Sequence, residues 1–254
     1  MARRRHTRRR RHRRGLGILY KLISVVAISA AIVAALTLFF KVDTITVSGT
    51  TRYSSEEIIQ ASGIQIGDNL FLLNKYEISD AIIEALPYVS SVSINRRLPD
   101  TLVIEVTDSN QGGIIAQDGA YWVISSSGKV LGQRKEAGSG ALIRGITLQE
   151  PVVGGTIAAA EGDERKLSQL LDLFAALEEK GMLQGVQAID FSQEGEISMD
   201  YSDRFTVILP YGADFSYKLT QLSMVIEQLE EQGDQRSGTV DMTSDEGRIN
   251  FIPD

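Results

Sequence analysis

The sequence predicts an α+β protein on one N-terminal membrane-spanning helix: a small strand–helix–helix–strand–strand unit, then a mixed β-domain with two packed helices. Three observations predict it. Nineteen consecutive residues without a charge, Leu22 to Phe40, follow an arginine tract. Beyond them, short runs alternate apolar and polar residues with period two between Gly-, Ser- and Asp-rich turns. Among those runs lie segments with apolar residues at helical spacing.

The first element is the anchor. A helix rising 1.5 Å per residue needs about that length to cross a hydrocarbon core of roughly 30 Å. Counting from Leu16, with Lys21 free to snorkel, extends the span to residues 16–40. Nine of the first fourteen residues are arginine, and cationic flanks stay in the cytoplasm. Residues 1–15 are therefore expected as a cytoplasmic tail and residues 41–254 as the exterior, a single-pass type II arrangement. A cleaved signal would end in small residues after a shorter apolar core. Here Ala27, Ser29, Ala30, Ala31, Ala34 and Ala35 lie inside the run instead. The arginine tract is read as topogenic, held at an anionic leaflet.

Charge is asymmetric. Residues 1–21 hold ten of the 26 Lys and Arg and no acid; the remaining 16 bases face all 33 acids, a formal charge of −17 for the exterior. Such a surface repels nucleic acid and anionic headgroups. With no cysteine there is no disulfide and no thiolate chemistry. His6 and His12 both lie in the arginine tract, so the exterior has no imidazole for a general base or a metal.

The exterior elements follow in order. Val42–Val47 alternates as a strand ended by Ser48-Gly49. Ser54-Ser55-Glu56-Glu57 has capping-box spacing for a helix to about Ser62, stopped by Gly63. Ile64–Asp68 is a turn. A second helix runs from Lys75 to Leu86, with Ile78, Ala81, Ile82 and Ala85 on one face and Pro87 as its stop. Strands Val89–Arg96 and Thr101–Asp108 close the unit around Arg97–Asp100. Gln111-Gly112-Gly113 is expected as a boundary. A hairpin follows, Ala120–Ser125 and Lys129–Gly132, and residues 133–162 are Gly-rich with short apolar pieces. Leu167, Leu170, Leu171, Phe174 and Leu177 mark a helix stopped by Gly181. Val186–Phe191, Glu196–Tyr201 and Phe205–Leu209 read as a meander. Phe215, Leu219, Leu222, Val225, Ile226 and Leu229 mark the last helix. Strands Gly238–Met242 and Arg248–Ile252 end the chain.

No motif in the sequence spells a reaction centre. Ser126-Ser127-Gly128-Lys129 spells S-x-x-K, but a glycine in a hairpin turn separates the pair and the partner motifs of that chemistry do not occur. Glu56/Glu57, Glu178/Glu179 and Glu230/Glu231 are sequence neighbours, which point apart on a helix. Asp241, Asp245 and Glu246 lack the interleaved spacing of a calcium loop. The expectation is a protein that is not an enzyme, with no cofactor, metal or small-molecule substrate.

Residues 42–106 carry a resemblance. Val47-Ser48-Gly49, Gly67-Asp68-Asn69-Leu70-Phe71, Leu86-Pro87-Tyr88-Val89 and Val92–Ile104, with Arg97-Leu98-Pro99-Asp100-Thr101-Leu102 inside it, resemble the ordered motifs of the bacterial FtsQ/DivIB division family. Tyr121–Ile124, Lys218-Leu219, Gly238–Met242 and Phe251-Ile252-Pro253 also fit. Thr107–Gln111 departs from it, where the family usually has a glutamate and then a proline-containing segment. The resemblance implies a POTRA domain at 42–108 and the family's β-domain at 114–254. It further implies a non-enzymatic divisome scaffold at the septum that binds FtsB/DivIC-like and FtsL-like bitopic partners. The alternative is a POTRA-bearing secretion or transport adaptor.

In the family, the partner adds a strand beside the last β-strand. Carried onto this chain, the docking residues are Thr243 and Ser244 in the preceding turn and Arg248, Ile249, Asn250, Phe251 and Ile252 on the strand. Alternation puts Ile249 and Phe251 on one face, expected inward, leaving the backbone to bind. On that basis Ile252→Pro is expected to weaken partner capture without unfolding the domain.

Overall fold

The computed structural model describes residues 14–244 and 249–254. Its first helix, α1 (Arg14–Phe39), contains a 21-residue span, Leu19–Phe39, that is long and, Lys21 apart, uncharged enough to cross a membrane.

Directly after α1 comes a three-stranded sheet with two helices. Its elements are β1 (Thr44–Thr50), α2 (Ser55–Ser62), α3 (Lys75–Ala85), β2 (Val89–Arg97) and β3 (Thr101–Asp108), with strand order β1-β3-β2. β1 runs parallel to β3 and β2 antiparallel to it. The capping box is formed as the sequence predicts: the Ser54 hydroxyl accepts from the Glu57 N–H while the Glu57 carboxylate accepts from the Ser54 N–H. Its core gathers Val42, Ile58, Leu70, Ile82, Val89, Leu102 and Ile104.

The second unit is a nine-stranded sheet with strand order β12-β11-β10-β9-β8-β7-β4-β5-β6. The strands are β4 (Gln111–Gln117), β5 (Ala120–Ser125), β6 (Val130–Arg134), β7 (Ala141–Arg144), β8 (Val186–Asp190), β9 (Glu196–Tyr201), β10 (Phe205–Pro210), β11 (Gly238–Asp241) and β12 (Asn250–Pro253). Helices α4 (Glu164–Glu179) and α5 (Phe215–Glu231) share its core. Alternate residues of the strands supply that core, such as Phe205, Val207 and Leu209, against Leu170, Phe174, Leu177, Leu219 and Leu222.

Two expectations change. The expected boundary moves two residues earlier, because Gln111–Gly113 already starts β4, which lies between β7 and β5. Only Ser109 and Asn110 separate the two sheets. Within the Gly-rich 133–162 stretch, β7 forms a parallel bridge between β4 and β8, and Leu148 pairs with Ala159.

The two units touch through polar groups. The Ser109 N–H donates to the Tyr88 carbonyl at 2.7 Å. Lys129 reaches across with its Nζ donating to the Ile83 carbonyl at 2.8 Å. Burial pushes the Lys129 ammonium below its ordinary value. Tyr88 is also covered by the Arg52 guanidinium, 3.6 Å from the ring centre.

Candidate docking edge

The last strand sits at one end of the long sheet. β11 runs parallel to β10, and β12 returns antiparallel to β11, pairing Thr239 with Ile252 and Val240 with Phe251. A strand at a sheet end keeps one row of backbone donors and acceptors free. The register tells which ones. The Asp254 N–H donates to the Ser237 carbonyl at 3.1 Å, and backbone direction alternates along a strand. The N–H groups of Ile252 and Asn250 therefore face β11, while those of Phe251 and Ile249 face outward. The Ile252 carbonyl confirms this, lying 2.4 Å from where a β-carbon on Gly238 would be.

Side chains divide as the alternation predicts. Ile249 and Phe251 pack against the core, Phe251 meeting the Phe205 ring at 6.1 Å and 69°. Asn250 is exposed, as is Ile252 at 57%. One expectation is overturned: because the Ile252 N–H belongs to the internal ladder, proline at 252 would break β11–β12 pairing itself. Arg248, Asp245 and Glu246 lie outside the described residues.

The turn before the strand is tied down. The Asp241 carboxylate accepts from the Thr243 N–H at 2.9 Å and hydroxyl at 2.7 Å. Those bonds, helped by the Lys218 ammonium, hold the Asp241 carboxyl below its ordinary range. Lys218 on α5 donates to the Met242 carbonyl at 2.8 Å, fixing the end of β11. Nearby, Arg236 pairs with Asp234 at 2.6 Å and holds its carboxyl down to about 2.

Beside β12, α5 and Ile249 enclose an open groove. Met224, Val225 and Ile249 supply its apolar surface, and Glu227 and Glu231 are the acids that line it. The groove escaped the sequence reading because Ile249 and α5 are brought together only by the fold.

The far end of the sheet differs. The Val130 N–H of β6 donates to the Gly155 carbonyl, and the Val130 carbonyl accepts from the Gly154 N–H, each at 2.8 Å. Part of that edge is thus already covered by the chain's own loop.

The remaining sequence candidates among the described residues lie apart or are engaged elsewhere. Lys129 Nζ is engaged by Ile83, while its N–H donates to the Ser125 hydroxyl at 2.8 Å. Glu178 accepts from Asn110 and Glu179 from the Ser216 hydroxyl, so that pair points apart. Among the described residues no cluster of three potential metal ligands is present.

Two family models match the chain. The FtsQ-type POTRA domain covers residues 40–108, and the C-terminal domain of cell division protein FtsQ/DivIB covers residues 113–243. The chain belongs to the FtsQ/DivIB family of cell division proteins. It is 27% identical over 192 residues to cell division protein FtsQ of Corynebacterium glutamicum, covering 74% of this chain and 78% of that one. It is 30% identical over 201 residues to FtsQ of Syntrophotalea carbinolica, covering 75% and 67%. Among solved structures, the major extracytoplasmic domain of DivIB from Geobacillus stearothermophilus aligns at 14% identity with a TM-score of 0.31. That alignment covers 49% of this chain and 96% of the other. For an FtsQ/DivIB protein of this kind, the β1-α2-α3-β2-β3 unit is the POTRA domain and the nine-stranded sheet belongs to the C-terminal domain.

Proposed function

We propose that this protein is a non-catalytic divisome scaffold that captures FtsB/DivIC-like and FtsL-like bitopic partners by strand addition at β12. On this reading α1 spans the cell membrane at the septum with the arginine tract inside. The exterior then divides into the POTRA domain at 42–108 and the β-domain at 114–254. Thr243, Ser244, Arg248, Ile249, Asn250, Phe251 and Ile252 form the docking segment. No cofactor takes part.

The observation that supports the reading most is the outward Phe251 and Ile249 N–H pair on a terminal strand whose outer edge has no partner strand among the described residues. A partner strand satisfies such groups, and alternate side chains add specificity. The exposed Ile252 and Asn250 would contact it on one face. The acid-lined groove favours basic residues flanking the partner's apolar ones.

The test is semisynthesis of the C-terminal segment with an N-methyl group on Phe251. This removes one outward donor and keeps the core side chain. Capture of the FtsB/DivIC-like partner is expected to weaken about ten-fold, the worth of roughly one good hydrogen bond. Undiminished capture by a folded N-methyl protein would count against strand addition.

A further inference from the structure

The loop Ile66–Leu73 lies against the end of α1. The Asn69 side-chain amide donates to the Leu36 and Thr37 carbonyls at 2.9 and 3.3 Å, closing the last turn of the helix. The Leu70 N–H donates to the Phe40 carbonyl at 2.9 Å, and the Gly67 N–H to the Val42 carbonyl at 2.8 Å. Phe71 sets its ring edge-on to Phe40 at 5.1 Å. The same Asn69 accepts from the Phe71 and Leu72 N–H groups through its carbonyl oxygen, which shapes the turn they occupy. Leu70, fully buried, pins the loop to the POTRA core.

That turn leaves large apolar side chains bare. Leu72 is 76% exposed, and Phe71, Ile66 and Tyr76 are exposed as well. Their depth follows from the helix. The 21-residue span Leu19–Phe39 of α1, with Lys21 near its inner end, rises about 32 Å and fills a hydrocarbon core of roughly 30 Å. Leu36 lies only about 5 Å below the helix end at Phe39, so the turn bonded to it sits at the boundary between acyl chains and headgroups. Amphipathic aromatics and long cations are favoured at that depth. Lys41 pairs with Asn69 and Lys75 begins α3, while the Arg96 guanidinium donates to the Leu73 carbonyl at 2.8 Å. Of the acids beside the loop in sequence, Asp68 accepts from the Gln65 N–H at 2.9 Å, and Glu77 follows Tyr76 on α3, exposed.

We infer that the Phe71–Leu72 turn is a membrane wedge, inserted into the outer interface of the lipid bilayer beside the emerging helix, with Ile66 and Tyr76 at its flanks. The wedge rests on the membrane-spanning reading of α1 and goes beyond it. The anchor fixes only where the chain crosses, whereas the wedge fixes how the POTRA domain is oriented on the bilayer. The contact surface is continuous with the lipid-facing helix through Phe40 and Phe71.

The test uses the full chain in a Trp122→Phe background, in vesicles of phosphatidylglycerol and phosphatidylcholine carrying nitroxide labels near the headgroup or near the acyl terminus. Single tryptophans are placed at Leu72→Trp, Phe71→Trp and, on the anchor, Phe39→Trp. Emission at position 72 or 71 is expected to fall about two-fold with the shallow label and less with the deep one, as an interfacial residue requires. Quenching of Phe39→Trp with neither loop tryptophan quenched would overturn the wedge and leave the anchor standing. An unquenched Phe39→Trp would overturn both.

Discussion

Gly238 sits where no side chain fits. A β-carbon there would lie 2.4 Å from the Ile252 carbonyl and 2.8 Å from the Pro253 Cα. Both contacts are backbone, so the strand must move rather than a rotamer. Gly238→Ala is expected to cost about 2 kcal/mol by overpacking, read by chemical denaturation, and to splay β12 from β11. Asp241 acts on the same edge through charge. Its carboxyl is held below its ordinary range by the two Thr243 donors. A depressed folded value means the stabilisation is complete above the ordinary carboxyl range and is lost as pH falls through the folded value. Asp241→Asn should therefore melt below the parent at neutral pH, and the gap should narrow in thermal melts below about pH 4. A gap independent of pH would mean that the ionised carboxylate is not what holds the turn.

Among the elements, those set by local chemistry were legible in the sequence and those set by tertiary contact were not. α2 announced itself because Ser54 and Glu57 complete each other's hydrogen bonds within one turn. α4 and α5 did so through their stripes, and Ile249 and Phe251 through alternation. β4 was hidden by Gly112-Gly113, which reads as a break. A β-carbon on Gly112 would lie 2.8 Å from the Phe174 ring of α4 and 2.9 Å from the Ser126 nitrogen. Close approach, which sequence does not display, sets the glycine there. β7 was hidden because its partners β4 and β8 are remote in the chain. Lys129 looked like a turn residue because its target, the Ile83 carbonyl, belongs to the other unit. Lys129→Met leaves that carbonyl without its donor and should cost about 1–2 kcal/mol. Limited proteolysis at Ser109–Asn110 should then accelerate; an unchanged cleavage rate would show that the lysine does not hold the two units together.

At the scale of the whole molecule, the two ends of the nine-stranded sheet are treated differently. The β6 edge is partly covered by the 154–155 loop, whereas among the described residues nothing pairs with the outer row of β12. The POTRA domain begins directly after α1, and β12 is the last described element. A partner pairing with β12 would join the outer edge of the sheet without disturbing the internal ladder. Amide hydrogen exchange resolved by residue, with and without the FtsB/DivIC-like partner, tests this most directly. In the free protein Ile252 should already be protected by β11 while Phe251 exchanges readily, and partner binding should slow Phe251 by about ten-fold or more. If the partner binds and the Phe251 amide exchanges at its free rate, β12 is not the docking edge.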